Sequence, residues 1–184
     1  MKSTKRIITV IITLFIVYFL KSGIFNKTDN NIGNEKDNSF VTITKIVDGD
    51  TFGVIYNGKN EKVRLIGIDT PEAKKNKKAY KDSKRSKSDV EKIVELGLKS
   101  KEFVKSIVKV GDKLKVEFDI RERDQYGRLL VYLYLKNGEM LNNYIIKEGY
   151  ASPLTYPPNV KYEEMFKNSY IKARENNKGL WTVR

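Results

Sequence analysis

The spacing of apolar side chains changes along this chain, and each change marks an element. Phe40 to Val47 alternates apolar and polar with many β-branched residues, as a half-buried strand does, and it stops at Asp48-Gly49-Asp50. Thr51 to Tyr56 and Glu61 to Ile68 flank Asn57-Gly58, a pair suited to a tight hairpin because both central positions take positive φ. The second of these runs, Val63-Arg64-Leu65-Ile66-Gly67-Ile68, passes straight into Asp69-Thr70-Pro71-Glu72, where the proline and the carboxylates stop it. Strict alternation would put Arg64 and Asp69 on opposite faces, so a bend or bulge near Gly67 is needed to bring both to one end.

Beyond Pro71, Lys74 to Lys87 is strongly basic with no hydrophobic period, which reads as a mobile loop. Ser88-Asp89-Val90-Glu91 reads as a capping box that opens a helix carrying Ile93, Val94, Phe103, Val104 and Ile107, with Gly97 a candidate kink and Gly111 the stop. Lys113 to Ile120 and Leu129 to Leu135 are two further strands, and Met140 to Lys147 and Tyr162 to Asn176 two further helices. The order predicts an α+β domain: a five-stranded antiparallel barrel with three helices.

The N-terminus has another pattern. Lys2, Lys5 and Arg6 precede an uncharged, apolar run from Ile7 to Leu20, which fits an export signal but is short of the ~20 residues of a spanning helix. Ile24 and Phe25 can lengthen the run, and no small-residue cleavage site follows it. Residues 1–25 are therefore read as a signal peptide or signal anchor, 26–38 as a flexible, asparagine-rich linker, and 39–184 as one domain.

Composition narrows the chemistry. The chain has no histidine and no cysteine, which excludes a histidine base, a thiol nucleophile, disulfides and any zinc site built from those ligands. A net charge of +13 favours a polyanionic partner such as nucleic acid or an anionic membrane. What remains for catalysis is carboxylates, arginines, lysines and tyrosines around a hard cation. Asp50 and Asp69, each where a strand meets a turn, are candidate ligands for a divalent ion, with the Thr70 carbonyl as a third. Glu72 is a candidate general base, and Arg64 and Arg128 offer planar forks for phosphate oxygens. Tyr126 and Tyr156, on turns, could pack against a base or bond a phosphate.

Three ordered segments carry a resemblance: Val47-Asp48-Gly49-Asp50-Thr51, Arg64 to Glu72, and Asp124-Gln125-Tyr126-Gly127-Arg128. Together they resemble the staphylococcal-type thermonuclease family, over about Phe40 to Trp181. The resemblance implies an oligonucleotide-binding-type barrel (OB-fold) and calcium-dependent cleavage of DNA and RNA leaving 3′-phosphates, by a monomer that prefers single-stranded or frayed substrate. It makes Asp50, Asp69 and the Thr70 carbonyl calcium ligands, Glu72 the base, and Arg64 and Arg128 the phosphate clamps. Tyr126 would contact the substrate phosphate, and Tyr156 matches one of two family tyrosines around the base, the other standing here as Leu154. Gln125 replaces a lysine of the best-known member. The rival readings are an OB-fold protein that binds nucleic acid without cutting it, tethered to the membrane, and a membrane-tethered interaction protein.

The N-terminal pattern predicts an extracytoplasmic protein with a substantial fraction held at the membrane by uncut residues 1–25. Cell fractionation with N-terminal sequencing checks this. Quantitative recovery from the medium, starting beyond Leu20, would show an ordinary cleaved signal.

Overall fold

The computed structural model describes residues 38–182, so the expected export segment and nearly all of the linker lie outside the described residues. Strand β1 (Phe40–Asp48) pairs antiparallel with β2 (Thr51–Tyr56), and β2 with β3 (Lys59–Leu65) through Asn57 and Gly58, both at positive φ as the hairpin requires. The next strand is only β4 (Gly67–Asp69), and helices α1 (Lys77–Ser86) and α2 (Val90–Ile107) follow. Strands β5 (Lys113–Glu117) and β6 (Leu129–Tyr134) return the chain to the sheet. Helix α3 (Leu141–Lys147), strand β7 (Ser152–Leu154), helix α4 (Glu163–Glu175) and a 3₁₀ turn (Gly179–Thr182) complete it.

Five strands close a barrel in the order β1-β2-β3-β6-β5, while β4 and β7 form a separate antiparallel pair. The inward residues, among them Val41, Ile43, Phe52, Val54, Val63, Leu65, Leu114 and Val131, make one core that Ile145, Ile146 and Phe166 cap from the helices. Buried Asn142 fastens the barrel's seam: its Nδ2 donates to the carbonyls of Ile66 (2.9 Å) and Val131 (3.2 Å), and its Oδ1 accepts from the Leu133 amide (3.1 Å). All its buried polar atoms are thereby paired.

Several expectations need correcting. The barrel is mixed rather than antiparallel, because β3 and β6 pair in parallel (Val63 opposite Leu129), which the long crossover through α1, α2 and β5 permits. There are four α-helices among the described residues, not three. The extra one, α1, covers most of the basic stretch read as a loop. Asn76 caps it by accepting from the Ala79 amide (2.9 Å), Ala79 is its one fully buried side chain, and Lys84 and Arg85 sit in the last turn, where the helix dipole favours cations. One buried alanine leaves no period to read. At α2 the expected capping box is absent, since Asp89 is the N-cap and its side chain makes no cap bond.

Two glycines set the path of the site loop. Gly67, at φ +78°, opens β4 two residues beyond the end of β3 and turns the chain, and Phe166 packs where its side chain would be. The bend anticipated there exists. Helix α2 is not broken at Gly97 but runs through it as one helix. Instead the Glu72–Ala73 backbone lies against it, so that a Cβ would overlap the Glu72 carbonyl and approach the Ala73 nitrogen to 2.5 Å.

Gly97→Ala should therefore destabilise the fold although it favours the isolated helix by ~1 kcal/mol. The expected net loss is roughly 1–3 kcal/mol, in the range of overpacked sites, read by urea or thermal unfolding. Unchanged or higher stability would mean that the Glu72 loop yields freely.

Candidate active site

The site is assembled at the end of the barrel where β2 begins and β4 ends. Asp50, just before β2, is only 4% exposed, and every contact it makes offsets the loss of water. Its Oδ2 accepts from the Thr70 amide (2.8 Å) and Thr70 Oγ1 (2.9 Å), its Oδ1 accepts from Thr51 Oγ1 (2.9 Å), and the Arg64 guanidinium pairs with it. Arg64 lies on β3 directly opposite Thr51. Because Gly67 bends the chain, Arg64 Nη2 also reaches Asp69 Oδ1 (2.8 Å) and the Ile68 carbonyl (3.0 Å). One guanidinium thus bridges the two candidate ligand carboxylates. Burial pushes its pKa below the ordinary arginine value, while Asp69 works in the opposite direction.

A second cation faces the same oxygens from α1. The Lys78 ammonium lies 3.0 Å from Asp69 Oδ1, 2.9 Å from Glu72 Oε1 and 3.1 Å from the Thr70 carbonyl. Burial would lower its pKa, but Asp69 and Glu72 outweigh that and hold it above the usual lysine value. Glu72 is oriented at its other oxygen by Asn76 Nδ2 (2.6 Å), the same asparagine that caps α1. Behind it, burial and then the Glu72 charge raise the pKa of Asp48, whose carboxylate accepts from the Gly49 (3.1 Å) and Ala73 (3.4 Å) amides.

The opposite wall is the turn before β6. Asp124 accepts from the amides of Tyr126 (2.9 Å) and Arg128 (3.0 Å), and its Oδ2 takes Arg128 Nε (2.6 Å). Burial would raise the Asp124 pKa, but the Arg128 bond prevails and lowers it. The Arg128 guanidinium lies 5.6 Å from the Tyr126 ring centre, within cation–π range. Tyr126 and Tyr156 are 76% and 68% exposed and stand at the rim.

Asp50, Arg64, Asp69, Glu72, Arg128, Tyr126 and Tyr156 all line one cleft of about 600 Å³, shared with Lys78, Arg121, Gln125 and Leu154. Thr70 is buried beside it and presents its carbonyl to Lys78. Among the described residues no three acidic side chains stand together as a ready-made metal cage. The oxygens that do converge, from Asp50, Asp69, Glu72 and the Thr70 carbonyl, are hard donors of the kind calcium takes, and Lys78 and Arg64 hold them together. The donor chemistry therefore fits a hard divalent ion.

The chain is similar to known nucleases. The family model described as "Staphylococcal nuclease homologue" matches residues 62–183. The chain is 31% identical over 176 residues to the thermonuclease of Staphylococcus hyicus, covering 96% of this chain and 94% of that protein. It is 34% identical over 168 residues to endonuclease YncB of Bacillus subtilis (88% and 72% covered), and 29% identical over 171 residues to the thermonuclease of Staphylococcus intermedius (93% and 90%). The family match begins inside β3 and omits Asp50, which the fold nonetheless sets against Arg64 and Thr70.

Lys78, Asn76 and Asp124 are the partners that pattern reading did not assign to the site. The available signal was Asn76, a good N-cap residue four positions after Glu72. Lys78→Met, which keeps the length and removes the charge, should lower stability by roughly 1–2 kcal/mol because Asp69 and Glu72 lose a shared charged hydrogen-bond donor. Chemical denaturation in metal-free buffer measures this. An unchanged midpoint would reduce Lys78 to a solvated surface cation.

Proposed function

This chain belongs to the staphylococcal nuclease homologue family and is a nuclease, and we propose that it is a calcium-dependent phosphodiesterase that cleaves DNA and RNA to leave 3′-phosphates. The observation that carries this reading is the convergence of Asp50, Arg64, Asp69 and Glu72 on one wall of a cleft, with the Thr70 carbonyl beside them and Arg128 on the other wall. Through the export segment read in residues 1–25, the enzyme acts outside the cytoplasm.

In this reading Asp50, Asp69 and the Thr70 carbonyl hold calcium, which when bound supplies charge to offset that building on the phosphate. Glu72, held on one oxygen by Asn76 and on the other by Lys78, takes the proton of a water whose oxygen attacks phosphorus; the bond to the 5′-oxygen breaks, and that oxygen takes a proton from solvent and departs as the 5′-hydroxyl. Arg64 and Arg128 offer guanidinium forks to the equatorial oxygens, where charge grows in the transition state. Both are already oriented by carboxylates, Arg64 by Asp50 and Asp69 and Arg128 by Asp124, with which the phosphate competes for the same donors. Tyr126 and Tyr156 at the rim contact the substrate phosphate and base.

The deciding experiment incubates the domain from Ser39 onward with DNA and RNA in calcium, in magnesium and in chelator. Cleavage in calcium, little in magnesium and none in chelator is expected; binding without cleavage in calcium would establish the non-catalytic reading. Glu72→Gln should keep calcium affinity and nucleotide binding while losing ~10²–10⁴-fold in turnover, because it removes a base rather than a ligand. Calorimetry alongside kinetics separates the two roles, and a parallel fall in affinity and turnover would make Glu72 a ligand.

A further inference from the structure

A second depression lies beside the cleft and shares Thr51, Tyr126 and Arg128 with it, so the Tyr126 turn is a common wall. The register of the barrel explains the floor. Gly53 on β2 is paired with Lys45 on β1 and with Lys62 on β3, which places two lysines either side of a residue without a side chain. The flanking groups crowd that gap: a Cβ on Gly53 would lie 3.1 Å from Thr44 Oγ1 and 3.3 Å from Lys45 Cβ. The result is a slot with a lysine on each flank.

Its charge is uncompensated. The one acid among the described residues of the depression, Glu61, is held by Arg123 through two bonds (2.8 and 3.1 Å), whereas Lys45 and Lys62 are exposed and make no ion pair among the described residues. Lys62 also stands two residues before Arg64 on the same strand, hence on the same face and roughly 6.7 Å along it. A row of cations therefore leads out of the cleft from Arg64 to Lys62 and across Gly53 to Lys45. That spacing suits successive phosphates of an extended strand.

We propose that this slot is a second binding site for the substrate, a track that holds the sugar–phosphate backbone of single-stranded nucleic acid running on from the cleft past Tyr126. The track rests on the nuclease reading for its occupant. It gives the enzyme grip on long strands that a short substrate cannot use.

The test is fluorescence anisotropy with labelled oligothymidylates of two and twelve nucleotides, in chelator so that nothing is cut, at a series of salt concentrations. For the twelve-mer, Lys45→Ala/Lys62→Ala should weaken binding about tenfold and flatten the slope of log K against log salt by about 1.4, two phosphate contacts at ~0.7 each on a single strand. The dinucleotide, too short to reach the slot, should bind equally well to both proteins. An equal loss for both lengths would show a general charge effect and overturn the track, as would an unchanged slope for the twelve-mer. Loss of binding to phosphatidylserine vesicles with the oligonucleotide unaffected would assign the lysines to a membrane surface instead. Both lysines are exposed, and an unchanged melting temperature confirms that the variant is folded. The nuclease reading stands or falls separately, on cleavage by the wild-type protein in calcium.

Discussion

A buried carboxylate must be surrounded by donors or the fold loses several kcal/mol, and the working end of this barrel is built to satisfy that demand at Asp50. Its donors come from separated parts of the chain: Thr51 beside it, Arg64 on the neighbouring strand, and both the amide and hydroxyl of Thr70 at the end of β4. For Thr70 to reach it, Gly49 must have no side chain, since a Cβ there would come within 2.8 Å of Thr70 Cγ2. For Arg64 to serve Asp50 and Asp69 together, the chain must bend at Gly67. Satisfying one charge thus determines where two strands end and where the next carboxylates are held.

The charges of the cleft are balanced internally. Arg64, Lys78 and Arg128 each lie against carboxylates, so the cations are oriented before substrate arrives. In the proposed reaction an incoming phosphate would compete with those carboxylates for the same donors, which would cost affinity in the cleft itself. The slot beside it has the opposite character, because among the described residues Lys45 and Lys62 have no acidic partner to displace. Positioning groups and grip are therefore placed in adjacent parts of one surface.

Helix α1 links loop conformation to the site more closely than its composition suggests. Asn76 caps the helix and bonds Glu72, and two residues on Lys78 contacts Asp69, Glu72 and Thr70. From the far side, Gly97 of α2 admits the Glu72–Ala73 backbone. Glu72 is thus held between two helices, its carboxylate from α1 and its backbone from α2, although it lies on an irregular segment.

Local features of the sequence were enough to indicate the strands of the barrel, the Asn57-Gly58 hairpin, the helices around 141–147 and 163–175, and the acidic and arginine turns of the cleft. Those features depend on alternation, turn chemistry and capping, which act over a few residues. The parallel closure of β3 on β6, the helix in the basic stretch, the unbroken passage of α2 through Gly97 and the entry of Lys78 into the carboxylate cluster were decided by tertiary structure alone. Each depends on a neighbour distant in the chain or hidden by composition: a crossover of more than sixty residues, one buried alanine, a backbone laid on a glycine, and an ammonium that looks like any other lysine until two carboxylates are folded around it.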